Sequence, residues 1–251
     1  MLTQERHQII RDRLTAEGRV LAGDLAKEFD VSEDTVRRDL RELAKAGHCR
    51  RVYGGALAPA PNQGSIAQRA ATSTAEKERL ALCVAGLILP GQTIFIDAGS
   101  TNIAIARALR REVPITVVTN APAVALALSD HDKCRTILLG GILNQDKGAC
   151  LGGQTLNEVH RIYADVFVLG TCGVDASVGV TALDSEEAEL KRAMIQQSGQ
   201  LLVPATPDKI GTIAPYSVAA ASSIDTLVST LVDDDKLSAF KDLGAKIHIA
   251  A

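Results

Sequence analysis

From residue 74 onward the chain alternates short apolar runs with segments of helical period, and that alternation limits the fold more than any single motif. Residues 94–96, 115–118, 136–139, 166–169, 201–203, 226–229 and 246–249 each read as a strand. Between them lie helical segments. Thr74 opens one in which Leu80, Val84, Leu87 and Ile88 share a face ahead of Pro90-Gly91. Others cover 102–109, 123–128 (with Pro122 near the first turn), 155–162, 185 to about 197, and 234–243. Continuously apolar strands separated by helices belong to a parallel sheet covered on both faces, so an α/β domain is expected over residues 74–251. Aromatics are only 3% of the 251 residues and Trp is absent, so its core must be built from Ala, Val, Leu and Ile.

Ligands of such sheets gather at the carboxyl ends of the strands. Here those ends read Asp97-Ala98-Gly99-Ser100-Thr101, Thr119-Asn120, Gly140-Gly141 and Gly170-Thr171-Cys172-Gly173. The first has two readings. Gly99 for close backbone approach, hydroxyls on Ser100 and Thr101, and a following helix N-terminus make a phosphate cradle. The same residues also suit an ordinary capped strand-to-helix turn. No GxxxxGK[ST] or GxGxxG motif occurs, which disfavours NTP and dinucleotide binding. Asp97 and Asp175 are the carboxylates expected near this rim. Glu187 and Lys191 are spaced i,i+4 and also suit a plain solvent-exposed pair; Lys209 also suits a surface turn. The run Asp233-Asp234-Asp235 reads as a solvated start to the last helix, ahead of a metal site.

The N-terminal part is different. A helix over 3–17 with Ile9, Ile10 and Leu14 inward stops at Gly18. A second, over 20–29, has Leu25 and Phe29 spaced for burial, and Asp30-Val31-Ser32 joins it to a third over 31–47 with a turn of helix-turn-helix length. In that third helix Ser32 is the N-cap, and Val36, Leu40 and Leu43 form a narrow apolar face. Arg37, Arg38, Arg41 and Lys45 stand opposite, suited to a major groove or, more plainly, to a solvated surface. Residues 49–57 read as a two-stranded wing in which Gly54-Gly55 allows a tight turn and Arg50 and Arg51 reach phosphates. The net charge of −3 gives no global sign of a nucleic-acid binder. Between Arg37 and Arg51, however, six cations stand against Asp39 and Glu42, so any DNA contact is local. Residues 58–73, rich in proline at their start, read as a linker between a DNA-binding unit (1–57) and the α/β unit.

Ser-Glu-Asp-Thr-Val-Arg-Arg-Asp-Leu, starting at Ser32, and Arg-Arg-Val-Tyr-Gly-Gly-Ala, starting at Arg50, resemble the winged helix of the DeoR family of bacterial transcription regulators. Tyr53 stands where that family usually has His. The second part resembles the family's effector domain in Ile96–Thr101, Val117–Asn120, Leu139–Gly141 and Gly170–Asp175, and again at Glu187, Lys191 and Lys209-Ile210-Gly211. Thr206, flanked by Pro204 and Pro207, stands where the family usually has Asp.

The resemblance implies a winged helix-turn-helix followed by a mostly parallel α/β domain similar to ribose-5-phosphate isomerase and glucosamine-6-phosphate deaminase. It implies a repressor that senses a phosphorylated sugar or related metabolite. Ser32, Thr35, Arg37, Arg38, Arg41, Arg50 and Arg51 would meet operator DNA. Asp97, Ala98, Gly99, Ser100, Thr101, Thr119, Asn120, Gly140, Gly141, Gly170, Gly173, Glu187, Lys191 and Lys209 would line one effector cleft. The competing reading is a sugar-phosphate isomerase or deaminase with a DNA-binding appendage; a structural DNA-binding protein would leave the second domain unexplained. No catalytic residue, metal or cofactor is expected. The five cysteines are scattered without a CxxC pair, and no His has metal-ligand spacing. With a charged N-terminus and no apolar run of spanning length, a soluble cytoplasmic protein is expected. Since one recognition helix covers only a few base pairs, the expected assembly is a homodimer or homotetramer.

Overall fold

The computed structural model describes residues 1–61, 64–72, 74–232 and 234–251. The N-terminal unit begins with α1 (Thr3–Glu17), β1 (Arg19–Leu21), α2 (Ala22–Phe29) and α3 (Glu33–Lys45), followed by β2 (Arg50–Val52) and β3 (Gly55–Pro59). Ile10, Leu14, Leu25, Phe29, Val36, Leu40 and Leu43 form its core, as the helical periods require. Ser32 caps α3, its hydroxyl accepting the Thr35 N–H at 3.2 Å.

Two expectations are corrected here. Val20 and Leu21 do not continue a helix: they form β1, which pairs antiparallel with β3 in the register Val20↔Ala56. The wing therefore has three strands, with β3 between β1 and β2. Its turn is Tyr53-Gly54, with Gly54 at φ +81°, while Gly55 already lies in β3. A side chain at Gly55 would overlap the Val20 carbonyl, so each glycine has its own reason. The second correction is Asp39. It is buried within α3, where it accepts hydrogen bonds from Arg6 Nε at 2.7 Å and Nη2 at 3.1 Å, with His7 Nε2 at 3.2 Å. It pins α3 to α1 and does not dilute the charge of the outer face.

The segment read as a linker begins inside β3 and contains α4 (Ile66–Ala70); Asn62, Gln63 and Ser73 lie outside the described residues. Then follow α5 (Thr74–Leu87), β4 (Thr93–Ile96), α6 (Ser100–Ala108), β5 (Ile115–Thr119), α7 (Pro122–Ala127), β6 (Cys134–Leu138), β7 (Ile142–Asn144), β8 (Ala149–Leu151), α8 (Gly153–Val159) and β9 (Ala164–Val168). The chain continues through β10 (Gly173–Asp175), β11 (Gly179–Ala182), α9 (Ser185–Gln196), β12 (Ser198–Ala205), β13 (Thr212–Ile213), β14 (Tyr216–Ala219), β15 (Thr226–Ser229), α10 (Asp234–Asp242) and β16 (Lys246–Ile249). Seven strands form one parallel sheet in the order β16-β15-β12-β9-β4-β5-β6. Alternate residues feed two cores. Phe95, Val118, Phe167 and Leu227 face one, and Ile94, Val117, Val166 and Val228 face the other. That explains strands with no polar face. Asp233, the first residue of the acidic run, lies outside the described residues. Among the described residues no helix is long and apolar enough to cross a membrane.

The sequence did not announce β7–β8, a hairpin, or β10–β11–β14, a small antiparallel sheet. Nor did it announce β13, which pairs in parallel with β3 through Thr212↔Ala58 and Ile213↔Pro59. The Ala60 N–H adds a bond to the Ile213 carbonyl at 2.8 Å. The wing and the α/β unit thus share a strand pairing.

The buried Arg6–Asp39 pair yields a prediction. Arg6→Met leaves a carboxylate uncompensated inside the N-terminal core and should cost about 3–5 kcal/mol of stability. Asp39→Asn should cost less, because the amide oxygen still accepts from Arg6. Chemical denaturation of the two variants checks the order.

Candidate functional site

Two regions carry the predicted functional residues. On the outer face of α3 and the wing, Arg38, Arg41, Lys45, Arg50 and Arg51 are exposed. Arg37 is exposed too but folds back on its own first turn, its Nη2 donating to Glu33 at 2.7 Å and its Nη1 to Asp34 at 3.3 Å. Arg38 lies 3.9 Å from Glu42. Such exposed i,i+3 and i,i+4 pairs are weak and exchange readily for phosphate oxygens. Thr35 stands beside the Ser32 cap, half-buried. Tyr53 is wholly exposed at the wing tip.

The second region is the carboxyl edge of the sheet. α6 starts at Ser100, two residues before the expected position, so Ser100 and Thr101 lie in its first turn with Gly99 as N-cap. Gly99 has extended backbone (φ 172°), and a Cβ there would meet only Asn102 at 3.9 Å. The fold itself does not demand glycine at this position. Beneath this turn Asp97 is buried and fully engaged. Its Oδ1 accepts from Gly170 N and Asn102 Nδ2, each at 2.7 Å, and its Oδ2 accepts from Lys191 Nζ. Lys191, also buried, donates to the Gly170 carbonyl at 2.6 Å and lies 3.2 Å from Glu187 Oε1. Burial opposes the Lys191 charge, but Asp97 and Glu187 outweigh it and raise the lysine pKa above its usual value. Burial pushes the Asp97 carboxyl up and Lys191 pulls it back. Three N–H donors around the carboxylate favour its charged form, but burial is the larger effect and leaves the Asp97 pKa above its usual value.

Above this floor lies a small recess lined by Ala98, Gly99, Ser100, Thr101, Gly170 and Lys209. It adjoins an outer cavity of about 560 Å³, and Arg69, Thr171, Cys172, Glu187 and Lys209 border both. Glu187 Oε2 faces Lys147 Nζ at 3.9 Å across that cavity. Burial lowers the Lys209 pKa and pushes the Cys172 thiol up. Thr206 is buried at the end of β12, its carbonyl receiving the Lys209 N–H at 3.0 Å.

Not every expected residue arrives here. Ala98, Gly99, Ser100, Thr101, Gly170, Glu187 and Lys209 line the recess, while Asp97 and Lys191 form its support. Thr119, Asn120, Gly140, Gly141 and Gly173 line neither space. Thr119 and Asn120 are buried; Asn120 Nδ2 donates to the Cys150 carbonyl at 3.0 Å, so the β7–β8 hairpin covers them. Gly140 is tied to α8, its carbonyl accepting from Thr155 Oγ1 at 2.6 Å and its N–H donating to Glu158 at 2.9 Å. Gly141 packs against the same Thr155. A Cβ at Gly173 would lie 2.8 Å from the Thr212 carbonyl, so its smallness serves packing. Arg69 and Lys147 were missed. For Arg69 a signal existed: Ser65-x-x-Gln68 is a capping box, and it opens α4.

Residues 6–62 match the DeoR-like helix-turn-helix domain, and residues 72–230 match the DeoR C terminal sensor domain. This chain belongs to the DeoR family. It is 35% identical to the glycerol-3-phosphate regulon repressor of Escherichia coli over 90% of each chain. It is 32% identical to the HTH-type transcriptional repressor GlcR of Bacillus subtilis, over 91% of this chain and 89% of that one. A solved ribose 5-phosphate isomerase A from Neisseria gonorrhoeae aligns at 18% identity, with TM-score 0.39, over 53% of this chain and 52% of that chain. The chain carries both of its family's units.

The Lys209 shift sets a pH dependence. With the folded pKa below the unfolded value, the unfolded chain binds more protons as pH approaches 10.5, and stability rises over that window. Lys209→Met should therefore raise the melting temperature at neutral pH. The gain should shrink as pH climbs toward 10.5, which thermal unfolding at successive pH values checks.

Proposed function

We propose that this DeoR-family chain represses transcription by binding operator DNA through α3 and the wing, and that a phosphorylated sugar in the recess releases it. The observation that carries this reading is the continuity of residues 209–213. Lys209 borders the recess, Gly211 N donates to the Val174 carbonyl at 2.8 Å, and Thr212-Ile213 pair with the wing strand β3. A ligand that moves the Lys209 turn therefore moves a strand bonded to the DNA-binding unit.

Several features support the phosphate reading. Ser100 and Thr101, in the first turn of the nine-residue α6, line a space that Lys209 also borders. Gly99 leaves that space open although the fold would admit a side chain. The relatives named above are repressors, one of them of a glycerol-3-phosphate regulon. The geometry favours a sensor over an isomerase or deaminase. Asp97 is locked to Lys191, and Asp175 accepts from Ser177 N at 2.8 Å and from its hydroxyl, so neither is poised as a general base. The protein acts as a homodimer or homotetramer, because tight binding needs more than one half-site.

Arg37→Ala/Arg38→Ala should abolish sequence-selective operator binding, at about 1–3 kcal/mol for each arginine that reads a base. Arg51→Ala should weaken all DNA alike and reduce the salt slope by about one unit. Fluorescence anisotropy on operator and scrambled duplexes separates the two. Selective binding that survives the double substitution removes α3 as the reading helix.

Thr101→Ala should weaken the sugar phosphate by about 1.5–3 kcal/mol and leave operator binding intact. A titration of phosphorylated sugars into operator-bound protein reads this directly. Equal effector midpoints for wild type and Thr101→Ala would move the ligand out of the recess.

A further inference from the structure

The stretch between the wing and the sheet, a spacer by composition, forms part of the cavity wall. Ser65 caps α4, and the Ile66 N–H donates to the Asp146 carbonyl at 2.9 Å. From α5, the buried Lys77 ammonium donates to the carbonyls of Arg69 and Thr72. The backbone of Arg69 is therefore held from the sheet side.

Arg69 borders both the recess and the outer cavity, and among the described residues its buried Nε has no hydrogen-bond partner. A buried N–H on a charged group is costly to leave unpaired. The recess offers it little: Glu187 is the one carboxylate among its lining residues, and that carboxylate is already shared by Lys191 and Lys147. Arg69 and Lys209 thus place two cations on one small space with hydroxyls and an α-helix N-terminus. The Lys209 pKa is lowered mainly by burial; Cys172 and Asp208 act against that lowering, and the nearby Arg69 adds to it. The group that complements these residues, seated where the recess opens into the outer cavity, carries at least one full negative charge and several acceptor oxygens, as a phosphate monoester does.

We propose that Arg69 is a phosphate-binding residue of the effector site, acting with Lys209, and that through it an occupied site fixes the chain that leads out of β3. This rests on the recess being the effector site. The connection is short. From Arg69 the chain runs back to Ala60, whose N–H bonds Ile213 of β13. From Lys209 it runs forward to that same β13. A phosphate bound by both residues closes a loop of covalent and hydrogen-bonded links around the β3–β13 pairing.

The test uses the full chain and inorganic phosphate, followed by calorimetry and by hydrogen exchange of segments 55–61 and 64–72. Wild type should bind phosphate saturably and slow exchange in both segments. Arg69→Gln should bind about tenfold or more weakly, Arg69→Lys should recover part of the loss, and thermal unfolding should show both variants folded. At matched phosphate occupancy, the slowed exchange should be absent in Arg69→Gln. Equal phosphate affinity in wild type and Arg69→Gln, with Lys209→Met abolishing binding, overturns the role of Arg69 and keeps the recess. Equal protection in both proteins overturns the coupling. Wild type that binds no phosphate overturns the effector reading itself.

Discussion

The Lys191 ammonium is the contact on which the rest of the site depends. It gathers Asp97 from the end of β4, the Gly170 carbonyl from the end of β9 and Glu187 one turn back on its own helix. Two parallel strands and a helix are thereby fastened at one point, in a place with almost no solvent. Ion pairs at such depth are weak sources of net stability, since desolvation offsets most of the attraction. What this one supplies is position. With Asp97 bound on both oxygens, the end of β4 is tied to Asn102, Gly170 and Lys191, and Glu187 is held between Lys191 and the cavity.

The recess is also where the molecule's two units meet. Its walls come from the sheet edge, from α4 and from the Lys209 turn, and the last runs directly into the wing's own sheet. Sensing needs a difference in free energy between two arrangements, and a ligand supplies only what it contacts differently in each. On the proposed effector reading, walls drawn from the connecting segments would give a small ligand such contacts. A recess bounded by the rigid sheet alone would hold the ligand but would lack that leverage.

The large sheet was legible in the sequence because its strands are apolar on both faces and its helices keep a clear period; Thr226–Ser229 and Lys246–Ile249 match to the residue. The small strands were not. β7, β8, β10, β11, β13 and β14 are two to four residues long, and their identity comes from partners distant in sequence. Val20-Leu21 was misread as helix because the alternative, pairing with Ala56 and Gly55, lies beyond any local window. The site shows the same division. The Gly99–Thr101 turn, Glu187 and Lys209 were found by motif and by position after a strand. Gly140 and Gly141 carry the same local signal, yet Thr155 and Glu158 of α8 occupy them. Asp39 looked like a surface acid until Arg6, thirty-three positions earlier, was placed against it.

The pairing of β3 with β13 has a consequence for what counts as a unit of this protein. By sequence match the helix-turn-helix part ends at residue 62. By hydrogen bonding its sheet ends some one hundred and fifty residues later, at Ile213. Excised at the match boundary, the wing would keep its hydrophobic core but lose the partner of Ala58, Pro59 and Ala60. The bare strand edge left behind is of the kind that recruits another chain. Studied alone, the fragment would tend to find company, and that company would be a product of the cut.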